Sequence, residues 1–262
     1  MTTALLISTY NWPEALELVL RSLSAQRVMP DRVIIADDGS DDKTRKLIEH
    51  YIQKLTVPLD HVWHEDNGFQ KSIILNKAIA QTDVDFIIQI DGDCIMHSEF
   101  IADYINVARQ GTLYSGTRIN IKEAFVPTLW AKKISKFYLF HPGLRNGLRA
   151  LHMPLIGRFY RPKNQFSKKF RGCNTGYWRR DFIEVNGYNE AFKGWGREDS
   201  DLARRLIHLG CSMKRLKYRA LVYHIPHKIR SKSQLAQNNA LEQNTIDQKL
   251  VRIKQGVNQY LP

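Results

Sequence analysis

The chain has little cysteine, and what it has shows no pattern. Cys94, Cys173 and Cys211 are odd in number, far apart and without a C-x-x-C pair, which argues against a disulfide framework or a thiolate zinc site. A reducing cytoplasm is the expected setting. No stretch of about 18 uncharged apolar residues occurs, so no segment is expected to cross a membrane. The opening MTTALLISTYNWP lacks a basic start and turns polar too early for a signal peptide. Internal repeats and low-complexity linkers are also missing. Acid is absent over one long stretch: between Ala124 and Arg180 there is no Asp or Glu but there are 13 Lys and Arg. Of the 39 basic residues the other 26 are matched by 26 acids, so the whole net charge of +13 resides in that stretch.

What is present is a core-forming composition, 43% apolar over 262 residues, enough for one large α/β domain or two small ones. The first half alternates in period. TALLIST reads as a buried strand, and PEALELVLRSL as a helix opened by Pro13, with Leu16, Val19, Leu20 and Leu23 at helical spacing. RVIIAD is a strand, KTRKLIEHYIQKL a helix, DHVWHE a short strand, QKSIILNKAIAQ a helix and VDFIIQIDGD an apolar strand ending in acids. Strands separated by helices imply right-handed crossovers and a mainly parallel sheet, with ligands gathering at the carboxyl ends of the strands. Three polar groups therefore belong to one candidate site: Thr9 to Asn11, Asp37 to Asp42, and Asp91 to Asp93. The second half is less regular. RGCNTGYWRRDF suggests a strand and a helix start, EDSDLARRLIHLG a helix stopped by Gly210, and KRLKYRALVYHI a pair of strands. From Ser231 onward the amide-rich sequence reads as a surface helix or tail.

Asp91-Gly-Asp93 puts two carboxylates at a strand end with a glycine that admits a bulky ligand. Oxygen donors at that spacing suit Mg²⁺ or Mn²⁺ shared with substrate phosphates, although a D-G-D sequence alone is more often an acidic turn. ADDGSDD is read in the same two ways: a turn with Gly39 at positive φ and Ser40 or Asp41 capping the next helix, and a pair of acids placed to accept from a base or ribose.

STYN, DDGS, DGD and GWGREDSDL occur in the order found in GT-A glycosyltransferases. The chain resembles family 2 inverting enzymes over most of its length, and GYNEAFKGWGREDSDLARRL is similar to the galactosyltransferase C-terminal type, with its W-G-x-E-D motif. The resemblance implies an α/β fold of GT-A type, Rossmann-like, with a mainly parallel central sheet, in a single domain. It implies a nucleotide-sugar-binding half at 1–120, a basic aromatic-rich insertion at 121–171, an acceptor-binding and catalytic half at 172–230, and a C-terminal helix or tail at 231–262. Carried onto this sequence, Thr9, Asn11, Asp37, Asp38, Lys71 and Asp91 hold the nucleotide-sugar. Asp93 and His224 bind the divalent cation, with His224 preferred to His227, and Lys228 and Arg230 lie near the diphosphate. Asp199 is the general base, Glu198 orients the acceptor beside it, and Trp195 offers a flat face to a sugar ring. The acids from Glu198 to Asp201 also suit a helix N-terminus, but that dipole does not explain a tryptophan between glycines. Arg197 departs from the small residue of several relatives, with acceptor choice the expected consequence. Cys94 is expected to be a buried structural thiol.

The implied partners are a UDP-sugar donor and a glycan or lipid-linked acceptor, as in lipopolysaccharide core or surface polysaccharide synthesis. The acid-free segment mixes bases with Trp130, Phe137, Tyr138, Leu139, Phe140, Leu148, Leu151 and Ile156, which suggests peripheral docking on an anionic membrane surface at the inner face of the plasma membrane. Two other readings compete. A basic nucleic-acid-binding protein would fit the +13 charge but leaves the strand-end acids repelling phosphate, so no nucleic-acid partner is expected. An inactive sugar-binding relative is disfavoured by the intact Asp93, Asp199 and His224.

Overall fold

All seven residues of the first strand, β1 (Thr3–Thr9), are buried, and their alternation builds two cores at once. Ala4 and Leu6 point into one apolar cluster, Leu5 and Ile7 into another on the opposite face of the sheet. Each such side chain removed from water contributes about 1.5–3 kcal/mol. The computed structural model describes residues 1–227 and 231–262. After β1 come α1 (Pro13–Leu23), β2 (Arg32–Asp37), α2 (Asp42–Lys54), β3 (Leu59–Trp63), α3 (Lys71–Ala80) and β4 (Phe86–Asp91). Then follow β5 (Cys94–Met96), α4 (Phe100–Ile105), β6 (Thr112–Ser115), β7 (Thr117–Ile121), α5 (Val126–Lys132), β8 (Leu144–Arg145) and α6 (Pro154–Gly157). The last elements are β9 (Asn174–Trp178), α7 (Arg179–Glu184), α8 (Glu198–His208), β10 (Ser212–Arg215), β11 (Leu221–His224) and α9 (Leu235–Asp247).

Seven strands form the main sheet in the order β10-β6-β9-β4-β1-β2-β3. The run β4-β1-β2-β3 is parallel, and β9 enters antiparallel between β4 and β6. Residues of α3, α7 and α8 join the cluster on one face, and residues of α1, α2 and α4 the cluster on the other, giving helix, sheet and helix layers. A second, four-stranded sheet has the order β5-β11-β7-β8. The chain passes from the large sheet to the small one three times: at Gly92 and Asp93, at Gly116, and between β10 and β11. Gly116 is required there, because a Cβ would overlap the Asn174 side chain.

The α/β expectation is met: the sheet is mainly parallel and the two halves share one structure, since β9 pairs β4 in the middle of the main sheet. Two local readings need correction. KRLKYRALVYHI does hold two strands, but β10 pairs with β6 and β11 with β5 and β7, so they never pair with each other. The tail is a helix, yet not merely a surface one: α9 packs on α8 through the buried polar residues Asn238, Glu242 and Thr245, and Val257 beyond it reaches the core. Those three polar positions are spaced along one helical face, so a search for an apolar stripe passes over them.

Asp201, from the acid run, serves this packing. Its carboxylate accepts from Arg205 Nε at 2.8 Å and from Thr245 Oγ1 of α9 at 2.6 Å, and Arg205 also donates to the carbonyls of Val185 and Gly187, both at 2.8 Å. Arg205 and Asp201 are fully buried. Replacing Arg205 with Ala strands a buried carboxylate and two carbonyls, and the expected loss is about 3–5 kcal/mol in urea-induced unfolding. A loss below about 1 kcal/mol would show that water or a rearranged partner meets those groups.

Candidate active site

The carboxyl ends of β1, β2 and β4 meet the N-terminus of α8 around one cleft of about 450 Å³. Its floor begins with the loop after β1. Asn11 takes positive φ, its N–H donates to Ser40 Oγ at 2.8 Å, and its Oδ1 accepts from the Asp41 N–H at 2.8 Å. The Asp38 N–H donates to the Thr9 carbonyl at 3.0 Å. The two strand-end loops are thereby fixed to each other, and Thr9, Asn11 and Asp38 all line the cleft. Gly39 has a φ of +94°, and a Cβ there would come within 2.6 Å of Asp66 Cα, while Asp41 caps α2.

Asp37 and Asp38 part company. Asp37 is fully buried behind the turn, accepting from the Ser40 N–H at 2.9 Å and bonding His61 Nε2 at 2.9 Å, and it does not line the cleft. Asp38 faces the cleft while bonding His64 Nε2 at 2.9 Å and the Gln70 N–H at 3.0 Å.

Lys71, the first residue of α3, donates to Asp91 Oδ1 at 2.8 Å, and Ser8 Oγ donates to the same oxygen at 2.9 Å. Burial opposes the charge on Lys71, but Asp199, Asp91 and Glu198 together hold its pKa well above the ordinary lysine value. Asp91 answers: despite burial, Lys71 and Ser8 keep its pKa low, and it is a carboxylate. Gly92 lets this turn close, its N–H donating to the Ser8 carbonyl at 2.7 Å.

Asp93 stands with two imidazoles. His224 Nε2 is 3.5 Å and His227 Nε2 3.3 Å from Asp93 Oδ2, and one ligand atom from each of the three residues lies within 4.8 Å of the others. Burial holds His224 below its usual pKa despite Asp93, so the ring is neutral near pH 7 and free to ligate. One carboxylate oxygen and two imidazole nitrogens form a donor set that fits a divalent transition ion such as Mn²⁺ better than Mg²⁺, which prefers oxygen throughout. His224 and His227 therefore stand together beside Asp93, where the sequence reading preferred His224. Lys228 and Arg230 lie outside the described residues.

The tryptophan loop closes the cleft. Gly194, Gly196 and Arg197 have φ of 62°, 111° and 80°, a left-handed turn that turns Trp195 to the cleft with about two-fifths of its surface exposed. From α9, Asn238 Nδ2 donates to the carbonyls of Lys193 and Gly196, at 3.0 and 2.9 Å, and pins the loop. Arg197 does not enter the cleft. It turns to α9, donating to Asn239 Oδ1 at 2.6 Å and lying 3.4 Å from Glu242, so it braces the loop from outside the cleft.

Glu198 and Asp199 complete the wall. Glu198 accepts from the Gly196 N–H at 3.0 Å, and burial, together with the charge of Asp199, pushes its pKa up to about 7. Burial also raises Asp199, against the pull of Lys71. Asp199 Oδ1 accepts from Tyr188 OH at 3.2 Å, and Tyr188 is itself tied to buried Gln89 and Tyr177. The Asp199 carboxylate sits against the backbone of Gly172, where a Cβ would overlap it. Gly172, Tyr188, Arg118 and Arg171 were not singled out from sequence: Tyr188 stands inside the quoted tryptophan-loop stretch with nothing to mark its role, and the other three stand in no recognisable motif. Cys94 is buried, as expected of a structural thiol.

Comparisons with known proteins agree on the family and the fold. Residues 152–228 match the family model described as the N-terminal domain of galactosyltransferase, a span that includes the tryptophan loop. Validoxylamine A glucosyltransferase of Streptomyces hygroscopicus subsp. limoneus is 23% identical over 234 residues, 80% of this chain and 49% of that protein. Chondroitin synthase of Pasteurella multocida (strain Pm70) is 24% identical over 237 residues, 79% of this chain and 23% of that protein. The chain therefore spans half or less of these relatives. Among solved structures, S. aureus TarS 1–349 in complex with UDP superimposes with a TM-score of 0.64 at 16% identity, covering 94% of this chain and 65% of that one. A mannosyltransferase from Pyrobaculum calidifontis, solved with GDP-Man and Mn²⁺, gives a TM-score of 0.58 at 16% identity, over 97% and 65%. These two likenesses establish a shared GT-A fold. Residues 4–184, from the first strand through α7, match the model for glycosyl transferase family 2, and with most of its length under that match the chain belongs to that family.

Proposed function

We propose that the protein is an inverting glycosyltransferase that moves a sugar from a UDP-sugar to a hydroxyl of a glycan or lipid-linked acceptor. The observation that carries this reading is the contents of one cleft: an Asp93 and imidazole group suited to a cation, and a separate buried carboxylate pair at Glu198 and Asp199. Thr9, Asn11 and Asp38 accept and donate to the nucleoside, and Asp91 with Lys71 borders its phosphates. Asp37 supports the turn from behind rather than touching the donor. A divalent ion held by Asp93, His224 and His227, Mn²⁺ by its donor set, would stabilise the charge on the departing diphosphate.

On the acceptor side, Trp195 stacks against a sugar ring and Glu198, which titrates near neutrality, donates to or accepts from its hydroxyls. Asp199 takes the proton of the attacking hydroxyl as the new bond to the anomeric carbon forms and the bond to phosphate breaks, its electron pair leaving with UDP. Its raised pKa brings it closer to the range where a base both ionises and pulls usefully. The structure of TarS with UDP supports the choice of donor nucleotide. Assays of UDP release with a panel of UDP-sugars and Mn²⁺ test this. Asp199→Asn should lower turnover by about 10² or more while UDP still binds, and EDTA should abolish transfer in the unaltered protein. Near-normal turnover in the variant, or full activity in EDTA, contradicts the assignment.

The acceptor in this reading lies on an anionic bilayer, as a lipopolysaccharide-core or similar lipid-linked glycan would. The acid-free segment exposes large apolar side chains: Leu155 at 73%, Phe159 at 70%, Leu148 at 68%, Phe140 at 65% and Tyr138 at 63%. Trp130 and Phe137, grouped with these from sequence, instead pack inward against Trp12 and Tyr223. Lys133 is engaged by Glu17 at 2.9 Å, leaving Lys132, Lys136, Arg145 and Arg158 exposed in the same segment. Each base near an anionic leaflet contributes roughly 1 kcal/mol. No helix among the described residues is long and apolar enough to span a membrane, so the contact is at the surface. In co-sedimentation, binding should require anionic lipid, weaken with salt, and fail when those four bases become Gln or when Leu155 and Phe159 become Ser. Equal binding to neutral and anionic vesicles, or to neither, contradicts the docking.

A further inference from the structure

Several arginines of this chain are answered by acids: Arg21 by Glu17, Arg27 by Glu99, Arg32 by Asp60, Arg204 by Glu242 and Arg205 by Asp201. Two that line the cleft are not. Arg118, on β7, and Arg171 both line it, and neither they nor Arg149 and Arg215 form an ion pair among the described residues. Arg171 donates to the carbonyls of Lys168, at 3.2 Å, and Phe170, and Arg118 reaches only Cys173 Sγ, at 4.0 Å. Arg149 stands close enough to the other three to feel them: partial burial and the charges of Arg215, Arg118 and Arg171 push its guanidinium below its ordinary pKa. Arg149 and Arg171 belong to the stretch without Asp or Glu, so the local sequence offers nothing to neutralise them.

A cluster of unanswered guanidinium groups beside a binding cleft costs stability and is suited to a multivalent anion, since each planar fork can grip phosphate or carboxylate oxygens two at a time. Two anions compete for the assignment. Arg118 also stands close to His224, whose ring feels its charge, so the donor's diphosphate is one. Arg171, however, directly precedes Gly172, the residue against which the Asp199 carboxylate rests. Whatever hydroxyl reaches Asp199 brings its neighbouring groups to Arg171.

We infer that Arg171, Arg118, Arg149 and Arg215 form an anion-binding wall for the acceptor, so that the preferred acceptor carries a phosphate or a carboxylate next to the attacked hydroxyl. The inference rests on the glycosyl-transfer reading for the meaning of acceptor, and it narrows that acceptor from any glycan to an acidic one. Glycan phosphate and uronic acid share the chemistry that the wall recognises. The donor keeps Lys71 and the Asp93 site.

The test uses the whole protein saturated with UDP and Mn²⁺, titrated with glucose 6-phosphate, glucuronate and glucose and followed by ligand-observed NMR. An acidic sugar should bind at least about tenfold more tightly than glucose, with the better of the two identifying the anion. In the Arg149→Gln, Arg171→Gln double variant that advantage should vanish while UDP affinity stays within about twofold. Equal affinity for glucose and both acidic sugars overturns the inference. So does a variant that loses UDP affinity and keeps its preference for acidic sugars, which would assign the wall to the donor. If the unaltered protein fails to bind UDP, the transfer reading is at fault instead, and the same titration without nucleotide still decides whether the arginines select acidic sugars.

Discussion

Lys71 and Asp91 meet at 2.8 Å at the start of α3, and the charges of Asp199 and Glu198 bear on the same ammonium. Three carboxyl groups, one from β4 and two adjacent ones from α8, share this buried space, and without a central cation their mutual repulsion in a low-dielectric cleft would drive at least one of them to hold a proton or move away. The ammonium divides their roles. Asp91, in direct contact, is pinned as a carboxylate, while Glu198 and Asp199, farther off and deeper, titrate at raised pKa. In the proposed reading Lys71, which borders the donor's phosphates, thus also bears on the charge of the proposed base.

The acid run Glu198 to Asp201 shows how a single stretch serves both chemistry and stability. Glu198 and Asp199 turn to the cleft, Asp201 turns inward to Arg205 and Thr245, and the short Tyr188, Gln89 and Tyr177 chain supports Asp199 from behind. The geometry of Asp199 is therefore tied to the docking of α9, which also pins the tryptophan loop through Asn238. The C-terminal helix thus helps to set the shape of the cleft wall formed by the tryptophan loop and Asp199.

Much of this was legible in the sequence where the signal is local. β1, α1 and β2 fall where apolar runs and Pro13 put them, and the polar ends of β1, β2 and β4 converge because parallel strands must end on one side. The tryptophan loop is legible because a Trp between glycines has no ordinary structural reason. What was hidden depends on contacts between distant segments. The inward polar face of α9 resembles a solvent-facing one until α8 is laid against it. The separation of β10 and β11 into different sheets follows from strand order, which a hydrophobic pattern does not encode. Asp37 and Asp38 are adjacent and identical in type, and only the turn geometry sends one behind the wall and the other into the cleft. Gly172 and Arg171 matter through the side chain of Asp199, nearly thirty positions later, and nothing local marks them.

The account stands or falls on a single displacement at the anomeric carbon, with Asp199 collecting the proton. The direct measurement is the configuration of the sugar first transferred from an α-linked UDP-sugar, to a glycan or to water, read by the anomeric coupling in proton NMR before mutarotation. One displacement assisted by one base inverts that carbon, so the new linkage should be β. An α product, formed with configuration retained, would contradict the role given to Asp199 and with it the division of the cleft.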